Sequence, residues 1–255
     1  MTLSFTGSGN AGRIVAAIAG SEIKPTVLEL GGSDPCIVLA DADLEAAADV
    51  ATLSRMINAG QSCIAAKRII VEDAVYDTLV EKLQSRMAKF KSGDPLLADT
   101  DVGPIAREDL RQNLHRQVTD TINAGAKCLL GGELTNGPGF FYPPTLLIDV
   151  TENMCAFKEE TFGPVMVVIR AADVEEAVQL ANETPYGLGA AVWTKNAELA
   201  TSIANRLEAG QVAINGIVKT DSRLPSGGVK GSGYGRELGP HGIREFVNTK
   251  QIWVK

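Results

Sequence analysis

The stretch NAGQSCIAAKRIIV, residues 58–71, sets one cysteine, Cys63, between an apolar helical pattern and a β-branched run. A structural thiol belongs inside the apolar run. A reactive one belongs where the chain turns and backbone N–H groups are free to meet developing charge. The Gly-Gln-Ser step ahead of Cys63 fits the second setting, although on the residue alone a small buried hydrophobe is the better account of a lone cysteine. A second candidate lies near the start of the chain. GSGNAG, residues 7–12, fits the dinucleotide pattern G-x-G-x-x-G through Gly7, Gly9 and Gly12, and Glu29 follows Gly12 by seventeen residues as a possible ribose partner. Against it, the preceding strand-like TLSF has nothing before it to complete a βαβ half. Glu29 is also followed at once by Leu30, Gly31 and Gly32, which places it at a strand end facing a tight turn. A helix-opening turn competes with the fingerprint. The segment SGGVKGSGYGREL has the wrong glycine spacing for a phosphate loop, since Lys230 is followed by Gly231.

The other polar chemistry is sparse. Cys36, Cys63, Cys128 and Cys155 are irregularly spaced with no CxxC pair, and the two histidines, His115 and His241, lie far apart. A zinc site is therefore not expected, nor is a disulfide framework. The 255 residues are 45% hydrophobic and 22% charged, with a net charge of −7. That balance carries no nucleic-acid footprint. No run of eighteen apolar residues exists to cross a membrane. MTLSFTGSGNAG lacks the basic and apolar regions of a secretory signal, so a cytoplasmic location with reduced thiols is the expectation.

These residues need elements to hold them, and strand-like and helix-like patterns alternate almost throughout. PTVLEL, CIVL, KRIIVE, KCLLGG, PPTLLIDV, GPVMVVIR, GLGAAVWT and GQVAIN read as strands. Residues 43–58 read as a helix ending near Gly60. Residues 73–90 form another, with Val75, Leu79, Leu83 and Met87 on one stripe and Asp73 as its cap. Residues 107–124 repeat the pattern, Asp173 with Glu176 makes a capping box, and residues 196–208 form a further helix. The alternation predicts an α/β fold with a doubly wound, mostly parallel sheet. Residues 226–239 read as a long ordered loop.

Four stretches in order, LELGGSDPCIVLADADLEAA, NAGQSCIAAKR, KEETFGPVMVV and SGGVKGSGYGRELG, resemble the aldehyde dehydrogenase superfamily over essentially the whole chain. ELGGSDP, GQSCIAAKR and YPPTLL look most like its bacterial succinate-semialdehyde dehydrogenase group. The resemblance implies that Cys63 is the nucleophile, forming a thiohemiacetal with an aldehyde and then a thioester. It makes Glu29 the general base for the deacylating water instead of a ribose ligand. It further implies NAD or NADP as cofactor, with Gly7 and Ser8 on the cofactor side, Leu30 and Gly31 beside it, and Glu160 and Phe162 against the nicotinamide ribose and ring. A short aldehyde bearing a carboxylate, succinate semialdehyde first, is the implied substrate. Arg55 and Arg223 are the candidate carboxylate partners, because arginine's planar fork suits that group. Ser226 stands where the family usually has a pocket phenylalanine.

The same resemblance divides the chain into residues 1–31, a remnant of the cofactor domain; 32–235, the catalytic domain; and 236–255, a C-terminal helix and a strand that bridges subunits. It also implies a further N-terminal portion about as long as this chain, with most of the cofactor sheet, a lysine for the adenosine ribose and an oxyanion asparagine. The expected partners are copies of this chain or a complementing N-terminal half. Ala65 occupies the position where some relatives carry a second cysteine, so a local disulfide switch is not expected. Two other readings remain open: a non-enzymatic remnant that only associates with other subunits, and a cofactor-free thiol esterase using Cys63 and Glu29.

Overall fold

The structure, a computed structural model, describes residues 2–255. Its centre is a seven-stranded sheet. In chain order the strands are β3 (Asp34–Val38), β4 (Ala66–Glu72), β5 (Lys127–Leu130), β6 (Thr145–Ile148), β7 (Val165–Ala171), β8 (Gly189–Trp193) and β9 (Gln211–Ile214). They lie side by side in the order β5-β6-β7-β4-β3-β8-β9, all parallel except β5 against β6. Parallel neighbours need crossovers, which put helices on both faces and demand strands apolar on both sides. The run VMVVI in β7 meets that demand. Val165, Val167 and Ile169 enter the core shared with α4 (Glu108–Asn123), α6 (Val174–Asn182) and α7 (Ala197–Arg206). Met166 and Val168 enter the opposite core, against α2 (Leu44–Met56) and α3 (Tyr76–Met87). The expected doubly wound sheet is the fold observed.

A smaller three-stranded sheet holds the two ends of the chain together. In it β2 (Thr26–Glu29) pairs in parallel with β1 (Leu3–Thr6), the strand before α1 (Gly9–Ser21). On its other side β2 pairs antiparallel with β10 (Gly233–Tyr234), so the glycine-rich segment returns to dock beside Glu29. That segment is ordered, as expected, and Ser226 bridges to Glu237 within it. A short helix, α8 (Gly239–Arg244), follows.

Several local expectations change. The helix predicted from residue 73 begins at Tyr76 after one tight turn, without a side-chain cap, because Asp73 binds the Arg170 guanidinium instead. Asp173 does cap α6, accepting from the Glu176 N–H at 3.0 Å, while the Glu176 carboxylate takes the Ala172 N–H at 2.6 Å. The C-terminal TKQIWVK, expected to bridge to another subunit, pairs with no strand of this chain among the described residues, which leaves that expectation standing; Ile252, Trp253 and Val254 are exposed, as are Ile14, Ile18 and Ile23 on and just beyond α1. No helix is long and apolar enough to cross a membrane among the described residues.

Candidate active site

Cys63 lies in a turn that the sequence makes by ending α2 abruptly. After Met56, the residues Asn58, Ala59 and Gly60 all take left-handed backbone, with φ of 54°, 53° and 71°. Such a run is costly for residues with a Cβ and persists only where surrounding structure holds it. Arg55 supplies that hold. Its side chain is fully buried, and one guanidinium nitrogen donates to the carbonyls of Gly60 and Thr161, each at 2.9 Å, and also to that of Gly163. At Gly60 a side chain would collide with the Gly163 backbone, so only glycine lets the two segments meet. Arg55, expected to grip a substrate carboxylate, is thus a buried clamp between the Cys63 turn and the Thr161–Gly163 segment. Its α2 position aims it inward at carbonyls.

This clamp has a measurable consequence. Arg55→Ala removes the two Nη2 protons that three carbonyls share, at roughly 1–3 kcal/mol for each group left unsatisfied, offset in part by the loss of its own unpartnered Nε and Nη1. Urea unfolding of the chain is expected to show a loss of about 2 kcal/mol or more. A loss below about 1 kcal/mol would mean that the clamp is dispensable.

Past the turn, Cys63 is half-buried and unpaired with any other cysteine. Burial pushes its thiol above the ordinary value; Lys67 opposes that rise, Asp34 and Glu160 add to it, and the Ile64 N–H opposes it. The carbonyl of Cys63 packs so closely on Gly32 that a Cβ there would lie 2.6 Å from the oxygen. The nucleophile candidate therefore rests on the segment that begins with Glu29.

That segment is pinned from three sides. Gly7 N–H donates to Glu29 O at 3.0 Å, Leu30 N–H to Ser232 O at 3.0 Å, and Ser232 Oγ to Gly31 O at 2.6 Å. Glu160 folds over it, its Oε1 accepting the Gly32 N–H at 3.0 Å. Glu29 itself is 9% exposed and its Oε1 has no hydrogen-bond partner. Burial, then repulsion from Glu237, raises its carboxyl to about 7 against the pull of Arg236. Ser8 caps α1 by accepting the Ala11 N–H at 3.3 Å, and Phe162 is 36% exposed beside Glu160.

The structure thus gathers Cys63, Glu29, Leu30, Gly31, Glu160 and Gly7 around one segment. It does not bring Arg223 there. That guanidinium is exposed and bound to Asp221 at 2.7 Å, because a two-residue spacing in a loop lets the nearer carboxylate take it. Ser226 is buried in its bridge to Glu237, beside a 120 Å³ cavity lined in part by Val212, Ile217, Asp221 and Leu224. No group of three or more His, Cys, Asp or Glu side chains able to hold a metal occurs among the described residues.

Sequence matching ties this arrangement to known proteins: residues 1–252 match the Aldehyde dehydrogenase family. The chain belongs to that family. Over 251 residues it is 52% identical to a succinate-semialdehyde dehydrogenase of the NADP(+) type from Mycobacterium tuberculosis, covering 98% of this chain and 55% of that protein. Among solved structures it is similar to lactaldehyde dehydrogenase from Escherichia coli, at a TM-score of 0.97 and 36% identity, covering 100% of this chain and 54% of that one. An NAD-dependent aldehyde dehydrogenase from Sinorhizobium meliloti gives 0.94 and 42%, with 96% and 49% covered. This aldehyde dehydrogenase chain spans about half the length of the proteins it matches.

Lys67, Asp34 and Ser232 were not among the expected site residues, yet Lys67 holds the turn carbonyls, Ser232 holds the Gly31 carbonyl, and Asp34 lies buried below, accepting the Gly189 N–H. A signal for Lys67 existed: AKRIIV places two cations at the head of a strand that must be buried on both faces. A charge there needs partners, and the partners turn out to be the site itself.

Proposed function

We propose that this chain carries the nucleophilic half of an aldehyde dehydrogenase that oxidises a short carboxylated aldehyde, succinate semialdehyde first, with NAD or NADP. The observation carrying the reading is the convergence of the Cys63 turn, the partnerless Glu29 carboxylate and Glu160 on residues 29–32. Cys63 as thiolate adds to the aldehyde carbon, forming a C–S bond and a thiohemiacetal alkoxide. The Ile64 N–H, which donates to the Cys63 sulfur, would be one of the turn donors available to the developing oxygen charge. When bound, the nicotinamide cofactor supplies the hydride acceptor that lets the carbonyl re-form as a thioester. Glu29 then takes a proton from water, whose oxygen attacks the thioester carbon and expels the Cys63 thiolate with the acid as product.

The residues present fit the nicotinamide end of such a cofactor. Glu160 offers a carboxylate acceptor of ribose hydroxyls, 20% exposed at its side chain, and Phe162 offers an exposed aromatic edge beside it. Gly7 and Ser8 would stand on the cofactor side. The exposed apolar residues of α1 and the C-terminal segment suit contacts with further copies or with a complementing N-terminal portion.

With Arg55 buried and Arg223 held by Asp221, the choice of substrate rests on the 52% identity to a succinate-semialdehyde dehydrogenase. The test is kcat/KM of the protein complemented with the N-terminal portion, for succinate semialdehyde against butanal. A preference of at least about tenfold is expected, little more than 1.4 kcal/mol of transition-state binding. Equal values would remove the substrate assignment.

A further inference from the structure

Lys67 is fully buried at the head of β4, its side chain 1% exposed. An ammonium in that position is costly unless it is matched, and Lys67 is matched by two hydrogen bonds and one ion pair. Lys67 Nζ donates to Ser62 O at 2.8 Å and to Cys63 O at 2.9 Å, and lies 3.5 Å from Glu160 Oε1. Two of these partners are consecutive carbonyls of the turn that carries the sulfur. The third is the carboxylate that folds over Gly31 and Gly32.

The neighbouring cation on β4 has no share in this. Arg68 points to the other face, donating to Ser33 O, Leu180 O and Ala181 O at 2.8–2.9 Å. Arg55 serves the turn at Gly60, three residues earlier. Among the described residues, only Lys67 reaches the Ser62–Cys63 carbonyls and Glu160 together.

We propose that Lys67 is a positioning residue for the nucleophile: it pins the Ser62 and Cys63 carbonyls and ties that turn to Glu160, so the sulfur is held in one place over residues 29–32. The proposal rests on the reading of Cys63 as the nucleophile. It has an electrostatic side that a merely structural ammonium would lack. The charges facing the sulfur are Lys67, Asp34 and Glu160, and Lys67 is the cation among them. Asp34 is buried beneath, accepting the Gly189 N–H at 3.1 Å, and the charges acting on Lys67 itself are Glu160, Arg55 at the end of α2, and Asp34. Lys67 therefore favours the thiolate, and Glu160 both disfavours it and offsets Lys67.

The test follows the pH dependence of Cys63 alkylation by iodoacetamide in the 255-residue chain, read by peptide mass mapping, with Cys63→Ser as control. Lys67→Met removes the charge at similar volume. Its alkylation midpoint is expected to move up by about one pH unit, a rate about tenfold lower at pH 8. Glu160→Gln, which keeps an acceptor for the Gly32 N–H, is expected to move the midpoint down, and it keeps the test decisive if Lys67→Met fails to fold. A folded Lys67→Met chain whose profile superimposes on the wild type, or an unmoved or raised midpoint in Glu160→Gln, would overturn the assignment. If Cys63 stays unlabelled at every pH while Cys128 or Cys155 reacts, the nucleophile reading fails first and takes the Lys67 role with it.

Discussion

Replacing Glu29 with glutamine in the complemented enzyme is expected to lower steady-state turnover by a factor of about 10²–10⁴ while leaving the first turnover of cofactor reduction visible. The split follows from where Glu29 sits. It ends β2 beside the returning strand β10, almost buried, with Oε1 free of any hydrogen bond. A carboxylate needs a partner there, and under the proposed mechanism a water between Glu29 and an acyl group on Cys63 would be that partner. The raised value of about 7 decides the pH behaviour. Below that pH Glu29 carries a proton and cannot accept one from water; above it the carboxylate is free to do so. Deacylation is therefore expected to rise with pH through about 7 in the wild type and to lose that limb in Glu29→Gln. Acid quenching followed by mass mapping of the Cys63 peptide should find acyl-enzyme accumulating in the variant. A variant that turns over at the wild-type rate, or whose cofactor burst is lost together with the steady state, would take the deacylating role away from Glu29.

Much of this frame could be read from residue pattern. The continuous apolar run of β7 and the stripe Leu79, Leu83, Met87 on α3 specify buried faces whatever surrounds them, and Asp173 and Glu176 specify a helix start through purely local bonds. Cys63 was legible only through its flanking motif, since a lone cysteine is better accounted for as a small buried hydrophobe. What escaped was decided by contacts distant in sequence. Arg55 is an ordinary helical arginine until the Thr161–Gly163 segment, more than a hundred residues on, presents its carbonyls. Asp73 is a sound cap by local rules, but Arg170 of β7 competes for it and wins with a charge-assisted bond. The left-handed run Asn58–Gly60 has only one glycine to announce it, because the clamp supplies what local preference does not. β10 is two residues long and pairs with a strand some two hundred residues earlier, too short a ladder for any period to reveal.

These 255 residues on their own are expected to be a poor dehydrogenase that nevertheless retains a titratable thiol at Cys63. Hydride transfer requires the nicotinamide to stay in near-contact with the thiohemiacetal carbon, and such positioning supplies several kcal/mol of barrier reduction. Glu160 and Phe162 can address one end of a dinucleotide; the resemblance assigns the adenosine end, and one side-chain oxyanion donor, to a portion outside this sequence. A lost donor of that kind costs a factor of roughly 10²–10³ by itself. The thiol depends on nearer things. Lys67, Asp34, Glu160 and the Ile64 N–H are all in place around Cys63. Because burial outweighs the help from Lys67, the folded chain holds the proton more tightly than free cysteine does, and the thiolate is scarce at neutral pH. Iodoacetamide labelling should thus be slow near pH 7 and climb past the ordinary cysteine midpoint of about 8.5, whereas Cys63→Ser gives no labelled peptide at that position. NADPH or NADH production in the same preparation should stay at background until the N-terminal portion is added. Robust cofactor-dependent turnover by the 255 residues alone would reverse this, since it would require a grip on the adenosine end by residues that now face solvent or each other.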